Sequence, residues 1–125
     1  MPSLVQLAKA CFGDDVRYRA FDDFLIVATT VFLPGYDESI ALRLDPEGAD
    51  AILVSDCHSV IDYWEVFGID PTLRKEEIER IMKEYALSFD GRIFSSVYDG
   101  GDEIAFGEHI AGFIEALKRL AGSAF

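Results

Sequence analysis

Residues Ala51 to Trp64, AILVSDCHSVIDYW, begin with an apolar run that stops at Ser55-Asp56-Cys57-His58, and a helical pattern starts at Ser59. A β-branched apolar run of this length, bounded by polar residues, reads as a strand. Ser59 to Phe67 then reads as a short helix. A strand that runs straight into a helix puts both element types in one domain. The four polar residues between them are where a domain of this size would hold a chemical site.

Working back toward the N-terminus, the connections are short. Val16 to Phe21 alternates as a half-buried strand, and Asp22-Asp23 reads as a two-residue turn. Phe24 to Leu33 is apolar on both faces and β-branched, as an interior strand should be. Pro34-Gly35-Tyr36-Asp37 turns the chain into a strand with Ile40, Leu42 and Leu44 on one face. Asp45-Pro46-Glu47-Gly48 turns it again before Ala51. Parallel strands need long crossovers, so these turns predict an antiparallel meander of about four strands. Before it, Leu4, Leu7, Ala8 and Cys11 form a helical stripe, with Ser3 and Gln6 spaced as a capping box and Gly13 as the stop.

Working forward, the pattern is mostly helical. Ser59 to Phe67 ends at Gly68, and Asp70-Pro71 opens a second helix with Ile78, Ile81, Met82 and Tyr85 on its buried face. Glu76/Arg80 and Glu79/Lys83 are spaced as ion pairs on its wet face. Leu87-Ser88-Phe89, Asp90-Gly91 and Arg92 to Tyr98 read as a β-hairpin. Phe106, Ile110, Phe113, Ile114, Leu117 and Leu120 make the strongest helical stripe in the chain. Gly107 and Gly112 inside that helix point to close approach of another backbone, within the chain or across a dimer. The whole, residues 1–125, is one α+β domain: a meander with flanking helices, a hairpin and a C-terminal helix.

Composition limits the function. Eleven Lys and Arg stand against 23 Asp and Glu, for a formal charge of -12. Nucleic acids and anionic membranes bind mainly through basic residues, so both are excluded as partners, and a basic protein partner is favoured. The longest apolar run is too short for a membrane helix. The N-terminal MPSLVQLAKACFGDD does not have the form of a signal peptide, which predicts a cytoplasmic protein. Cys11 and Cys57 do not make a disulfide framework. Two histidines without a cysteine pair make a poor zinc set, no strand carries the Glu-x-Lys of restriction-type nucleases, and no cofactor loop is present, so neither metal nor cofactor is expected.

The candidate catalytic residues are Asp37, Asp56, Cys57 and His58. Asp37 and Asp56 lie at strand ends, where paired carboxylates can hold a hard cation. Cys57 as a nucleophile needs an activating base such as His109. Asp56 also suits a purely structural part, accepting backbone N–H groups at the start of the next helix. His109 reads as a partly buried histidine satisfied by one hydrogen bond, and Trp64 as a core residue. Two functions follow: a non-catalytic protein-interaction or regulatory module, or a small hydrolase or metal-dependent enzyme with its site around Asp56. Apolar surface on Phe89, Phe94 and Val97, with the tail Ser123-Ala124-Phe125, favours a homodimer through the last hairpin or last helix.

Thr29-Thr30-Val31-Phe32, Asp37 with Ile40 and Leu42, and Val54-Ser55-Asp56 leading to Ile61 together resemble the domain of unknown function family 1828 of bacteria and phages. The resemblance covers Phe24 to about Leu120. It implies a small antiparallel sheet with flanking helices, and a phage- or defence-related setting. Asp56 and Gly68 match its pattern, whereas Cys57 and His58 stand where that family has an acidic residue or His and then Gly. Val31 replaces a frequent proline. These departures weigh against Cys57 and His58 as shared catalytic residues and leave Asp37 and Asp56 as the positions for a shared role.

Overall fold

The computed structural model describes residues 4–14, 16–48, 51–100 and 102–122. Ser3 and the tail 123–125, which entered the capping and dimer expectations, lie outside the described residues. In chain order the elements are α1 (Leu4–Phe12), β1 (Arg17–Ala20), β2 (Leu25–Phe32), β3 (Ser39–Glu47), β4 (Ala51–Ser55), α2 (Ser59–Val66), a 3-10 turn (Pro71–Arg74), α3 (Lys75–Glu84), β5 (Ser88–Phe89), β6 (Phe94–Tyr98) and α4 (Glu103–Gly122). The α+β class and the antiparallel meander are as expected. The hairpin, however, is not a separate piece: β6 pairs with β4, giving one six-stranded sheet ordered β1-β2-β3-β4-β6-β5.

Alternation along the strands sends Leu25 and Val27, Ile40, Leu42 and Leu44, Ile52 and Val54, and Phe94 to one face. There they meet Phe106, Ile110, Phe113, Leu117 and Leu120 of α4 and the buried faces of α1, α2 and α3 in a single core. Burial of side chains this large contributes about 1.5–3 kcal/mol each before the cost of ordering them. Trp64 lies in this core, edge-on to Phe94, and its indole N–H donates to the Leu120 carbonyl at 3.3 Å. Among the described residues, the opposite face of the sheet carries no helix. Ile26, Ala28, Ala41 and Leu53 are half-buried there, beside Arg43 and an exposed Val97.

Several local expectations are corrected. β3 does not turn at Asp45 but runs on to Glu47, with Pro46 paired to Ile52. Its last partner on β2 is at Leu44, so beyond that point β3 has one neighbour only, and an edge tolerates a proline without an N–H. The first hairpin turns at Asp22-Asp23 as expected, Phe21 N–H donating to Phe24 O at 2.9 Å across them, with Phe21 stacked on Phe24. The last hairpin turns one residue later than expected, at Gly91-Arg92, with Asp90 N–H donating to Ile93 O at 3.3 Å and the Asp90 carboxylate accepting the N–H groups of Arg92 and Ile93 at 2.8 Å. Asp90 therefore flanks the turn and braces it through its side chain.

The Asp70-Pro71 pair opens a 3-10 turn, and the α-helix begins at Lys75. On α3 the ion pairs among the described residues are Arg74 with Glu77 at 3.1 Å and Glu84 with Arg119 of α4, in place of the two expected i,i+4 pairs. Gly68, at φ 65, ends α2 with Ile69 N–H on the Trp64 carbonyl at 2.8 Å, as its position in the sequence predicts. A β-carbon at Gly107 or Gly112 would meet nothing within 4 Å, so neither marks close packing within the chain.

Candidate functional site

β4 delivers Asp56 to the point where three elements meet. The residue is fully buried, and both carboxylate oxygens are engaged. Oδ1 accepts the N–H of His58 at 3.2 Å and that of Phe94, on β6, at 3.1 Å, while Oδ2 accepts the N–H of Val60 at 3.2 Å. The Asp56 backbone continues the ladder, its N–H donating to Phe94 O at 3.0 Å and its carbonyl accepting Ser59 N–H at 2.9 Å. One side chain thus joins the end of β4, the first turn of α2 and the start of β6. Burial pushes the carboxyl up to about 6, against the three backbone donors that hold it down.

The chain reaches α2 through two consecutive left-handed residues, Cys57 at φ 51 and His58 at φ 66. Each costs about 1–2 kcal/mol for a residue with a β-carbon. The turn aims successive N–H groups inward, an arrangement that suits an anion, and the chain's own Asp56 carboxylate takes that place. Glycine is the residue that would adopt the His58 conformation at no steric cost.

Cys57 lines a cleft of about 110 Å³ with Tyr36, Glu38, Ser59 and Asp62. Its thiol is the opposite of an activated nucleophile. Burial and then the neighbouring Asp56 push its pKa up to about 11, with Arg43 opposing weakly, so at neutral pH it carries its proton. His109, the expected base, is engaged elsewhere, its Nε2 lying 2.9 Å from Ser96 Oγ between β6 and α4. Burial holds the imidazole below its ordinary pKa. Asp37 is exposed in the β2–β3 connection and does not line that cleft. The structure therefore brings Asp56, Cys57 and His58 together by adjacency, but Asp56 has no accessible oxygen with which to share a cation or substrate with Asp37. Among the described residues no group of three or more His, Cys, Asp or Glu is placed to hold a metal ion.

Two features escape the sequence reading. The β2–β3 register slips between Ala28 and Phe32, and buried Thr29 repairs the slip. Its hydroxyl donates to Ile40 O at 2.7 Å and accepts Val31 N–H at 3.2 Å. The other is a shallow basin of about 550 Å³ on the open sheet face. Register places Arg43, Ser55, Ser95 and Ser88 in one row across β3, β4, β6 and β5. Asp23, Asp45, Glu47 and Asp90 also line the basin, four carboxylates to one guanidinium. That guanidinium is already held by Asp45 at 2.7 and 2.9 Å and stacks on Phe24. Alternation along β3 and β4 was the available signal for this row.

Compared with known proteins, the chain matches no protein-family model, no curated protein and no solved structure. No helix among the described residues is long and apolar enough to cross a membrane.

Proposed function

We propose that this chain is a non-catalytic protein-interaction module, regulatory in character, that takes a basic protein partner in the acidic basin of its open sheet face. The observation that carries the reading is the pairing of a filled junction with an open acidic concavity. At the junction Asp56 is consumed by backbone donors and Cys57 is a protonated thiol, so the residues best suited to chemistry are engaged in holding the fold. In the basin, Asp23, Asp45, Glu47 and Asp90 surround a single arginine whose charge Asp45 already offsets. A Lys or Arg side chain from a partner would meet unbalanced carboxylates there, and the overall charge of -12 would speed its approach. The resemblance noted in the sequence fits a bacterial or phage-related cytoplasmic setting for such a module.

The test is affinity capture from a bacterial extract with wild-type protein and with Asp23→Lys/Glu47→Lys, both positions being exposed. The reading expects one specific basic protein retained by the wild type at low salt, released as salt rises, and lost by the variant. Equal retention by both proteins would overturn the basin as the site. Repeated failure to capture a partner, with turnover of a substrate by the purified chain, would favour the hydrolase reading instead.

A further inference from the structure

On the helical side, a groove of about 360 Å³ opens between α2, the 3-10 turn, α3 and β5. Trp64, Pro71, Ile78, Met82 and Phe89 make its floor and walls, with Lys75 at the rim. Leu73, 83% exposed, stands just beyond the rim, lining an adjoining recess that shares Thr72 and Lys75 with the groove. An aliphatic side chain held in a helical turn and left this open is a knob without a hole. The hole beside it belongs to the same patch.

Charge decides what can enter. The chain carries -12 overall, yet Pro71 to Glu84 contains Arg74, Lys75, Arg80 and Lys83 against Glu76, Glu77, Glu79 and Glu84, four of each sign. This segment is balanced on a strongly acidic molecule, so two copies can meet here with less repulsion than the net charge implies. Both signs within one short segment allow opposite charges to meet when this face associates with itself.

We infer that this groove is the interface of a homodimer, in which Leu73 of each copy enters the groove of the other across a two-fold axis. The contact is isologous: one patch supplies both knob and hole, which is what closes a two-fold assembly at two copies. It uses β5 of the last hairpin together with α3. Phe89 lines both this groove and the acidic basin, whereas Leu73 and Lys75 do not touch the basin, so substitutions at those two positions test the dimer apart from the proposed partner.

Sedimentation or light scattering from 1 to 300 μM measures the association. Wild type is expected to move from 13.9 kDa toward twice that mass with rising concentration. Leu73→Asp, at an exposed position that leaves the core intact, should weaken the dimer by at least about tenfold, as loss of a central anchor does. Lys75→Glu should weaken it too, and raised salt should partly rescue that variant. A 13.9 kDa wild-type species throughout the range overturns the inference. So does a dimer whose dissociation constant Leu73→Asp leaves unchanged, which would put the contact on another surface.

Discussion

Replacing Asp56 by Asn removes the charge while keeping the shape. The Asn carbonyl can still accept from His58 and Phe94, but its NH2 faces the Val60 N–H, which Oδ2 of the aspartate accepts at 3.2 Å. Two donors are left opposed in a fully buried place, at a cost of about 1–3 kcal/mol for each group without a partner. At pH 7 a loss of about 2–3 kcal/mol is expected, a large share of the roughly 5–15 kcal/mol that holds a domain together. The pH dependence has a definite sign. The folded-state carboxyl titrates at about 6, whereas an unfolded aspartate titrates near 3.9, so the native state binds the proton more tightly. Wild-type stability from this group is therefore fullest below the unfolded value and is lost as pH rises through about 6, by roughly 3 kcal/mol in all. Asn does not titrate, so the deficit of the variant should widen by about 2 kcal/mol between pH 7 and 4.5. His109, whose pKa burial lowers, gives the opposite slope, its stabilisation being lost as pH falls through its folded value. Asp70 and Asp90, lowered by hydrogen bonds, act below the window. All three cancel in the difference between wild type and variant. Urea unfolding followed by the single Trp64 gives that difference directly. A deficit that shrinks on acidification, as an ion-paired aspartate would give, refutes the reasoning.

Ala86 holds a left-handed conformation, φ 54, at the end of α3, and Leu87 N–H reaches the Met82 carbonyl around it. Ala86→Gly should therefore stabilise by about 0.5–1 kcal/mol in the same unfolding assay, and His58→Gly by a similar amount. Gly107→Ala and Gly112→Ala enter open space on α4 and should each add up to about 1 kcal/mol; a loss at either would point to a packed partner there. Thr29→Val keeps the shape but deprives the register slip of its hydroxyl, and should cost about 1–3 kcal/mol with faster hydrogen exchange at Val31.

What the sequence makes legible depends on range. β4 from Ala51 to Ser55 and the Gly68 stop of α2 rest on local pattern, and the structure has both where the pattern puts them. The α4 stripe does too, because a 20-residue helix repeats its period often enough to be read. The pairing of β4 with β6 depends on residues some 40 positions apart, so the hairpin's place in the sheet is invisible until the chain is folded. The same distance hides the main role of Asp56. Capping of α2 is legible from its neighbours, but the hydrogen bond from Phe94, 38 residues on, is not. Pro46 misleads because proline normally ends a strand, and only the free edge of β3 beyond Leu44 makes it tolerable. Asp22-Asp23 marks its turn correctly, whereas Asp90-Gly91 misplaces the last turn by one residue, because the Asp90 side chain braces the loop from outside it.

In the proposed module the Asp56-Cys57-His58 junction holds the fold, through three backbone N–H groups on the Asp56 carboxylate. The thiol of Cys57 reports on it most directly, in a Cys11→Ser background so that one cysteine is read. Its alkylation rate should still be climbing at pH 10, toward a midpoint near 11. A rate that levels off below pH 8 would mean an activated thiolate at the junction, and would contradict the account.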